Sequence, residues 1–341
     1  MPVGTIKGDN TMRAAFYEKQ GPAREVFRIG EVPTPEAGPG EVRVKLAFSG
    51  VNPSDSKRRT GFGGQKHAFP LIVPHSDGSG VIDQVGEGVP ESRIGERVWI
   101  YCGQWQRAFG TCAEYIAIRA DHAIALPAGV PLDGGACLGI PAVTAHRALF
   151  ADGPLTRLNV LVTGGAGAVG NYAIQLAKWG GAAKVIATVS SAAKAEHAKK
   201  AGADLVINYR EADVAEAIMA TTDGRGVDRI VEVAFGVNLP GIVATLRDDG
   251  IVSCYASDAD PTPTLPFYPL MQKNAVLRWV YMYKISDAAF AQARDDITAW
   301  LSAGPAQHLI ARTFPLAEAA AAHEYLESGQ ATGTALVAVD R

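Results

Sequence analysis

The stretch Leu161–Gly170, LVTGGAGAVG, joins an apolar run to a cluster of glycines and constrains the fold more than any other segment. The glycines fit the pattern G-x-G-x-x-G between the strand-like NVLVT and the helical NYAIQLAKWG. In such a unit the first glycine permits a tight turn, the second admits a pyrophosphate, and the third brings helix and strand together. Gly-rich turns also serve packing, but in a series of strand–helix units this one predicts a dinucleotide site formed by Gly165, Ala166, Gly167, Ala168, Val169 and Gly170.

Two regions with different predicted secondary structure follow one another along the chain. From Met12 to about Leu126 short β-rich segments are separated by Gly and Pro, which predicts a compact β domain. From Asn159 onward apolar strands alternate with segments of helical composition, and this alternation indicates an α/β domain with a doubly wound parallel sheet. The tail predicts helices at about 288–302 and 316–328 and a closing strand, GTALVAV.

Composition narrows the class of partner. The 341 residues suffice for two domains, and the net charge of -3 comes without a basic block, so neither nucleic acid nor an anionic membrane is expected. No run of about 18 apolar residues could span a bilayer. The four cysteines are scattered, and MPVGTIKGDNT lacks the features of an export signal. We therefore expect reduced thiols, a cytoplasmic location and a small-molecule substrate.

The residues after the next strand, KVIATVSSAAK, bear on which dinucleotide binds. An NAD-binding chain usually places Asp or Glu there to hold the ribose 2'-hydroxyl, whereas this chain has Ser190 and Ser191, followed by Lys194. Two hydroxyls and a cation suit a 2'-phosphate, which favours NADPH. Tyr209 and Arg210 are candidates for the adenine side. A serine helix cap followed by a solvated lysine is the alternative interpretation.

These motifs together resemble a known family. GGAGAVG, GVNPSDSKRRTG (Gly50–Gly61), SDGSGVIDQVGEGV (Ser76–Val89), GERVW and AEYIAI, in this order, are similar to the quinone oxidoreductase branch of the medium-chain dehydrogenase/reductase superfamily, which includes zeta-crystallin. The resemblance implies a Rossmann domain inserted into a β-rich chaperonin-10 (GroES)-like catalytic domain. The implied bounds are 1–137 for the catalytic domain, with 1–11 as a loose extension, 138–299 for the Rossmann domain, and 300–341 for the return.

The resemblance also implies site residues. Asn52, Asp55 and Lys57 would face the cleft, and Thr144 would lie near the nicotinamide, with Asn52, Asp55 and Thr144 in the catalytic set and Asn52, Lys57 and Thr144 in contact with cofactor. The segments VEVAFG, SCYAS and RWVYMY would close around the nicotinamide half through Ala234, Tyr255, Ala256 and Tyr281. A turn role for Asn52 ahead of Pro53, and helix packing for Thr144, are the alternatives.

No metal is expected. Alcohol dehydrogenase relatives hold a catalytic zinc at places that here carry Asn52 or Pro53, Ser76 and Ile140, none of them a usual zinc ligand. Cys102 and Cys112 stand ten apart, so the closely spaced cysteines of a structural zinc loop are missing. His75 occupies a place where the branch more often has glycine, and a lone histidine is more often a loop or core residue.

The resulting prediction is an NADPH-dependent quinone oxidoreductase that reduces a quinone or similar conjugated carbonyl without metal, Asn52 and backbone N–H groups steadying the oxyanion. An enoyl or alkenal reductase is the alternative, although related enoyl reductases have a tyrosine where this chain has Phe62 and Gly63. A structural or regulatory NADPH-binding protein is a third possibility. AVLRWVYMY resembles an edge strand of the kind that joins related subunits, which predicts a homodimer.

Overall fold

The computed structural model describes residues 10–339, and the chain forms two compact units. The first unit comprises Met1–Ile140 and Ile310–Arg341, and the second comprises Pro141–Leu309. The domain boundaries predicted from the sequence, after residues 137 and 299, stay predictions. Most of the predicted extension, residues 1–11, lies outside the described residues, and Thr11 already belongs to the first strand.

The strands of the described chain are, in order, β1 Thr11–Phe16, β2 Arg28–Pro33, β3 Glu41–Val51, β4 Asp77–Val85, β5 Arg97–Ile100, β6 Tyr115–Arg119, β7 Ala123–Ala125, β8 Asn159–Val162, β9 Lys184–Val189, β10 Leu205–Asn208, β11 Val227–Glu232, β12 Leu246–Cys254, β13 Val276–Trp279, β14 Ile310–Pro315 and β15 Thr334–Ala338. The α-helices are α1 Ala23–Val26, α2 Pro53–Thr60, α3 Leu132–Gly135, α4 Gly139–Phe150, α5 Ala168–Trp179, α6 Ala192–Lys200, α7 Val214–Thr221, α8 Phe235–Thr245, α9 Phe267–Gln272, α10 Asp287–Ala303 and α11 Ala319–Glu327. No helix in this part of the chain combines the length and apolar character needed to cross a bilayer.

The first unit is built on a mixed sheet in the order β14-β15-β3-β4-β5-β7, and β6 also pairs with β3. Strand β3 alternates apolar and polar residues, so that Val42, Val44 and Leu46 are buried in a core shared with β4, β5 and β6. Helix α2 follows β3 directly, because Asn52 ends the extended backbone and Pro53 supplies a preset φ at the first helical position. The strand β15 closes the sheet beside β3, as the apolar GTALVAV predicts.

The second unit contains a fully parallel sheet in the order β10-β9-β8-β11-β12-β13. This is the strand order of a dinucleotide-binding Rossmann fold, with the reversal of direction between β8 and β11. Apolar side chains of these strands pack against the neighbouring helices, and buried members include Leu161, Ile186, Ile230, Phe235 and Val252. The doubly wound prediction is confirmed, and ligands of such sheets bind at the carboxyl ends of the strands beside the reversal.

Two predictions about elements need adjustment. The segment AVLRWVYMY forms a strand only at Val276–Trp279, because a short 3-10 turn takes over at Met282–Lys284. The helix predicted at 316–328 begins with a 3-10 turn and is α-helical from Ala319 to Glu327. The helix predicted at 288–302 is observed as α10.

Candidate functional site

The Gly-rich turn of the second unit leaves β8 and enters α5. Its left-handed residue is Gly164, with a φ of 65°, and not Gly165, to which the sequence pattern had assigned the tight turn. Gly165 is required for another reason, since a Cβ there would stand 2.8 Å from the Cβ of Ala187 on β9. The N–H of Gly165 donates to the carbonyl of Thr188 at 2.9 Å, which holds the turn against the end of β9.

The other two glycines shape the start of α5. Gly167 is the N-cap of α5. Because it has no side chain, no cap hydrogen bond occupies the N–H groups of the first helical turn. A Cβ on Gly170 would overlap the carbonyl oxygen of Gly164, so the helix can approach the turn only with glycine there. The result is an open, positively polarised helix start, which suits a pyrophosphate.

The end of β9 carries the residues predicted to choose the cofactor. Ser191 is the N-cap of α6, and its hydroxyl oxygen accepts the N–H of Lys194 at 3.3 Å. The helix-cap interpretation is therefore observed, but it leaves the hydroxyl hydrogen of Ser191 available as a donor. Ser190 is half-buried, and Tyr209, after β10, is 52% exposed. No acid stands among these residues.

The residues predicted to surround the nicotinamide lie at neighbouring strand ends of the same unit. Phe235 donates its N–H to the carbonyl of Ala256 at 3.1 Å, which joins the segments containing Ala234 and Tyr255. Tyr281 follows Val280, whose N–H donates to the carbonyl of Cys254 at 2.8 Å. The structure thus brings Ala234, Tyr255, Ala256 and Tyr281 to the carboxyl ends of β11, β12 and β13.

A buried acid, Glu232, underlies this edge and was missed in the sequence. Its Oε1 accepts the N–H of Ala234 at 2.5 Å and the side-chain amide of Asn238 at 2.9 Å, whereas its Oε2 has no partner. Burial raises the pKa of Glu232 above its usual range. An acid at the end of an apolar strand, in DRIVEVA, was the available signal.

In the first unit Asn52 lies between two buried carboxyl groups. Its backbone N–H donates to Oδ2 of Asp55 at 2.8 Å, and its side-chain amide nitrogen donates to Oδ2 of Asp77 at 2.8 Å. The other oxygen of Asp77 accepts the N–H of Ile140 at 2.8 Å, in the first turn of α4. Asp77 was not selected from the sequence, although an acid followed by glycine at the start of a strand was a signal for it.

Both carboxyl groups are electrostatically unusual. Burial raises the pKa of Asp55 to about 6, against the lowering effects of Arg58 and of the N–H of Asn52. Its Oδ1 has no partner. Burial also raises the pKa of Asp77 well above its ordinary value, although the donors of Asn52 and Ile140 lower it. Neither carboxyl has solvent to stabilise its charge, so each depends on the donors around it.

The contacts of two further predicted site residues, Lys57 and Thr144, do not indicate a role. Lys57 is half-buried on α2, with its ammonium nitrogen 5.2 Å from the ring centroid of Phe62. Thr144 belongs to the second unit, where it is 4% exposed on α4. Their roles therefore remain predictions.

A pair of buried histidines lies beside this site in the first unit. The Nε2 atoms of His75 and His323 are 2.9 Å apart, so one must donate to the other. Arg59, which can only donate, places Nε 3.5 Å from Nδ1 of His323, and that nitrogen is therefore an acceptor. It follows that His323 carries its proton on Nε2 and donates to His75.

The remaining hydrogen bonds continue in the same direction. His75, now an acceptor at Nε2, donates from Nδ1 to the hydroxyl of Ser49 at 2.8 Å, which faces the hydroxyl of Thr111 at 2.7 Å. Thr111 donates to the backbone carbonyl of Asp77 at 2.5 Å. His75 adopts a φ of 77°, a region that favours glycine, so the network holds a strained backbone. Burial lowers the pKa of His75 to about 3.

Comparisons with known proteins agree with this architecture. Residues 38–128 match the alcohol dehydrogenase GroES-like domain, and residues 168–299 match the zinc-binding dehydrogenase family. A rat quinone oxidoreductase is 32% identical over 93% of this chain and 94% of its own length. The chain belongs to the quinone oxidoreductase family. It is accordingly an oxidoreductase of the medium-chain dehydrogenase/reductase superfamily, and its first unit carries the GroES-like domain.

The chain is also similar to two other proteins with different names. A 2-haloacrylate reductase of a Burkholderia species is 30% identical over 95% of this chain and 97% of its own length. The structure of a mycobacterial protein in complex with NADPH superposes with a TM-score of 0.83, at 26% identity, covering 96% of this chain and 99% of the other.

The residues at the zinc positions of alcohol dehydrogenases do not fit that metal. Asn52 offers an amide already bonded to Asp77, Ser76 offers a buried hydroxyl, and Ile140 offers no side-chain donor. Within residues 10–339, no three His, Cys, Asp or Glu side chains are grouped so that they could hold a metal ion.

Proposed function

We propose that this oxidoreductase uses NADPH to reduce quinones and similar conjugated carbonyl compounds without a metal. The observation that carries the proposal is Asn52, a buried residue at a position where metal-dependent relatives have a ligand. Its side-chain amide donates to Asp77, and its backbone N–H donates to Asp55. Conjugated acceptors need no Lewis acid, because the charge that develops on reduction spreads over their own carbonyls.

Each part of the chain then has a defined task. Gly164, Gly167 and Gly170 admit the pyrophosphate to the start of α5, and Ser190, Ser191 and Lys194 receive the 2'-phosphate. Bound NADPH supplies the hydride. The amide nitrogen of Asn52 has two hydrogens, of which Asp77 takes one, so the second is free to meet the oxyanion of the acceptor. The proton for a hydroquinone anion can come from water.

The decisive experiment is an acceptor panel with purified protein treated with a chelator. We expect rapid NADPH-dependent turnover of 1,2- or 1,4-quinones and none of simple alcohols or unconjugated ketones. Activity that disappears with one tightly bound zinc per chain, and returns when zinc is restored, would refute the proposal. Turnover should vary little between about pH 6 and 8, and an inflection near pH 6 would instead implicate Asp55.

Reduction of an α,β-unsaturated carbonyl compound is the second candidate, favoured by the similarity to a 2-haloacrylate reductase. Phe62, which is 48% exposed, stands where related enoyl reductases have a tyrosine, and it cannot donate a proton. Faster turnover of 2-haloacrylate or 2-enoyl thioesters than of quinones would establish this alternative.

The proton donor for such a reduction is a separate question. His75 is a poor candidate, because it is buried and already donates to Ser49, which leaves Tyr281 as the residue to test. NADPH binding with no turnover of any acceptor would favour a structural or regulatory role.

The proposed enzyme is a cytoplasmic homodimer. The argument for the dimer is β13, an edge strand with exposed side chains at Val276 and Trp279. The preceding helix α9 also exposes Phe267 and Tyr268. An open apolar edge of this kind tends to pair with another strand, and a second copy of the chain satisfies it.

A further inference from the structure

Asp77 is held on both of its carboxylate oxygens. Oδ2 accepts the side-chain N–H of Asn52, and Oδ1 accepts the backbone N–H of Ile140, each at 2.8 Å. The side chain is fully buried. With one donor on each oxygen the group is arranged as an acceptor, and the hydroxyl of Thr111 donates to the backbone carbonyl of Asp77 and so holds its main chain as well.

The backbone packs closely around Asp77 at two glycines. A Cβ on Gly139 would overlap Oδ1 of Asp77, and a Cβ on Gly50 would stand 3.1 Å from its Cβ. Gly139 begins α4, so its lack of a side chain lets the carboxylate reach the first N–H groups of that helix. A negative group at this end of a helix is also favoured by the helix dipole.

An amide such as that of Asn52 can be turned by half a rotation with little change of shape, which exchanges a donor for an acceptor. The backbone N–H of Asn52 bonds to Asp55 and does not determine which way the side-chain amide faces. Two contacts of the side chain determine it. The carboxylate of Asp77 accepts only from the amide nitrogen, and in the capping box at the start of α2 the amide oxygen faces the backbone N–H of Asp55.

We propose that Asp77 is a positioning residue that acts through Asn52: it keeps the amide nitrogen, and not the amide oxygen, turned toward the reacting oxygen of the acceptor. This inference rests on the proposed reduction of a conjugated carbonyl compound. It also assigns Asp77 a second contact, at the start of α4, the helix that carries Thr144 one turn later.

The substitution Asp77→Asn tests whether residue 77 fixes the orientation of the Asn52 amide, with almost no change in side-chain volume. If the new side chain keeps its oxygen on the N–H of Ile140, its nitrogen faces the nitrogen of Asn52, and Asn52 must turn its oxygen inward. If it keeps its oxygen on Asn52, the contact with Ile140 is lost. We expect kcat and kcat/KM for a quinone to fall together by about ten- to a hundred-fold, with the NADPH dissociation constant within about two-fold of the original.

Two further variants separate positioning from folding. In an Asn52→Ala background, Asp77→Asn should have no additional effect on kcat, since the residue it acts through is gone. The exchange Asn52→Asp with Asp77→Asn restores a hydrogen bond of reversed polarity, so it should recover the melting temperature but not the turnover. Asp83→Asn, on the same strand and paired with Arg43 at the surface, is the matched control and should leave turnover unchanged.

The side-chain amide resonance of Asn52 in selectively ¹⁵N-labelled protein provides a measurement independent of activity. We expect one slowly exchanging, strongly shifted proton in the original protein and its loss in Asp77→Asn. Recovery of turnover by the exchange variant, additive effects of the two single substitutions, or an unchanged amide resonance would overturn the inference. If the original protein turns over no acceptor, the proposed function fails, and the resonance alone decides whether Asp77 orients Asn52.

Discussion

Lys194 is the residue whose charge most directly separates NADPH from NADH in the proposed site. In the Lys194→Ala variant, loss of a charge-assisted contact to the 2'-phosphate should weaken NADPH by about ten- to a hundred-fold, or roughly 1.5–3 kcal/mol, and leave NADH nearly unchanged. Fluorescence titration with both cofactors measures this. Lys199→Ala, on the same helix and paired with Glu196, is the control and should change neither affinity. An equal loss of both cofactors would mean that Lys194 acts through folding.

Asn52 is the residue on which turnover should depend most. Asn52→Ala should lower kcat and kcat/KM together by roughly ten- to a thousand-fold, because the amide would meet the oxyanion mainly in the transition state. Steady-state kinetics with a quinone test this, since a rise in KM alone would limit Asn52 to substrate binding. Tm should be recorded alongside, because truncation also leaves Asp77 with one donor fewer.

The paired histidines make stability depend on pH. Burial lowers the pKa of His75 to about 3, and burial with the charge of Arg59 lowers the pKa of His323 well below 6.5. The unfolded chain therefore binds more protons below pH 6.5, and the folded state loses about 2 kcal/mol by pH 5 through His75, with His323 acting in the same direction. Asp55 opposes this by about 1 kcal/mol, because its raised pKa of about 6 makes the folded state bind a proton in the same range.

The acid effect can be isolated by comparing variants. His75→Gly suits the φ of 77° and removes one of the two histidines, so the slope of unfolding free energy between pH 5 and 6.5 should fall by about 1 kcal/mol per pH unit. Chemical denaturation at several pH values gives this slope. His197→Gln, at a half-buried position on α6, should leave it unchanged. An equal slope in all three proteins would contradict the assignment.

At the scale of elements, the junction of β8 and α5 requires glycine at particular positions, because the helix packs closely against the turn. Gly170→Ala places a Cβ on the carbonyl oxygen of Gly164, so we expect loss of at least 1–3 kcal/mol of stability and of dinucleotide affinity. Gly241→Ala, in α8 with open space around its Cβ, should instead stabilise by about 0.5–1 kcal/mol. Thermal unfolding and cofactor titration distinguish the two. Similar behaviour of both variants would mean that the turn tolerates movement.

At the scale of the whole molecule, β13 is the element that joins the second unit to a partner in the proposed dimer. Trp279 is 62% exposed on this strand, and Trp279→Lys should shift the protein toward the monomer at micromolar concentration. Light scattering gives the mass directly. Tyr209→Lys, at an exposed aromatic residue after β10 on the opposite edge of the sheet, should leave the mass unchanged. A monomer in the unaltered protein would remove the dimer from the proposal.

The sequence alone determined the features that follow from local periodicity and backbone chemistry. Apolar strands alternating with helices predicted the parallel sheet, and the glycines before NYAIQLAKWG predicted the turn into α5. Ser190, Ser191 and Lys194 could be located because they follow a strand at a known interval from the glycines. Family resemblance then added Asn52 and Asp55, whose role no spacing within GVNPSDSK could reveal.

Only the tertiary structure decided which distant residues meet. Asp77 bonds to Asn52, 25 positions earlier, and His75 meets His323, 248 positions later, because β3, β4 and the C-terminal α11 converge in one unit. It also showed that the left-handed residue of the turn is Gly164, one position before the first glycine of the pattern, while Gly165 bonds to the end of β9. The physical reason is that sequence patterns report on neighbours along a helix or strand, whereas buried polar groups choose partners through the packing of whole elements.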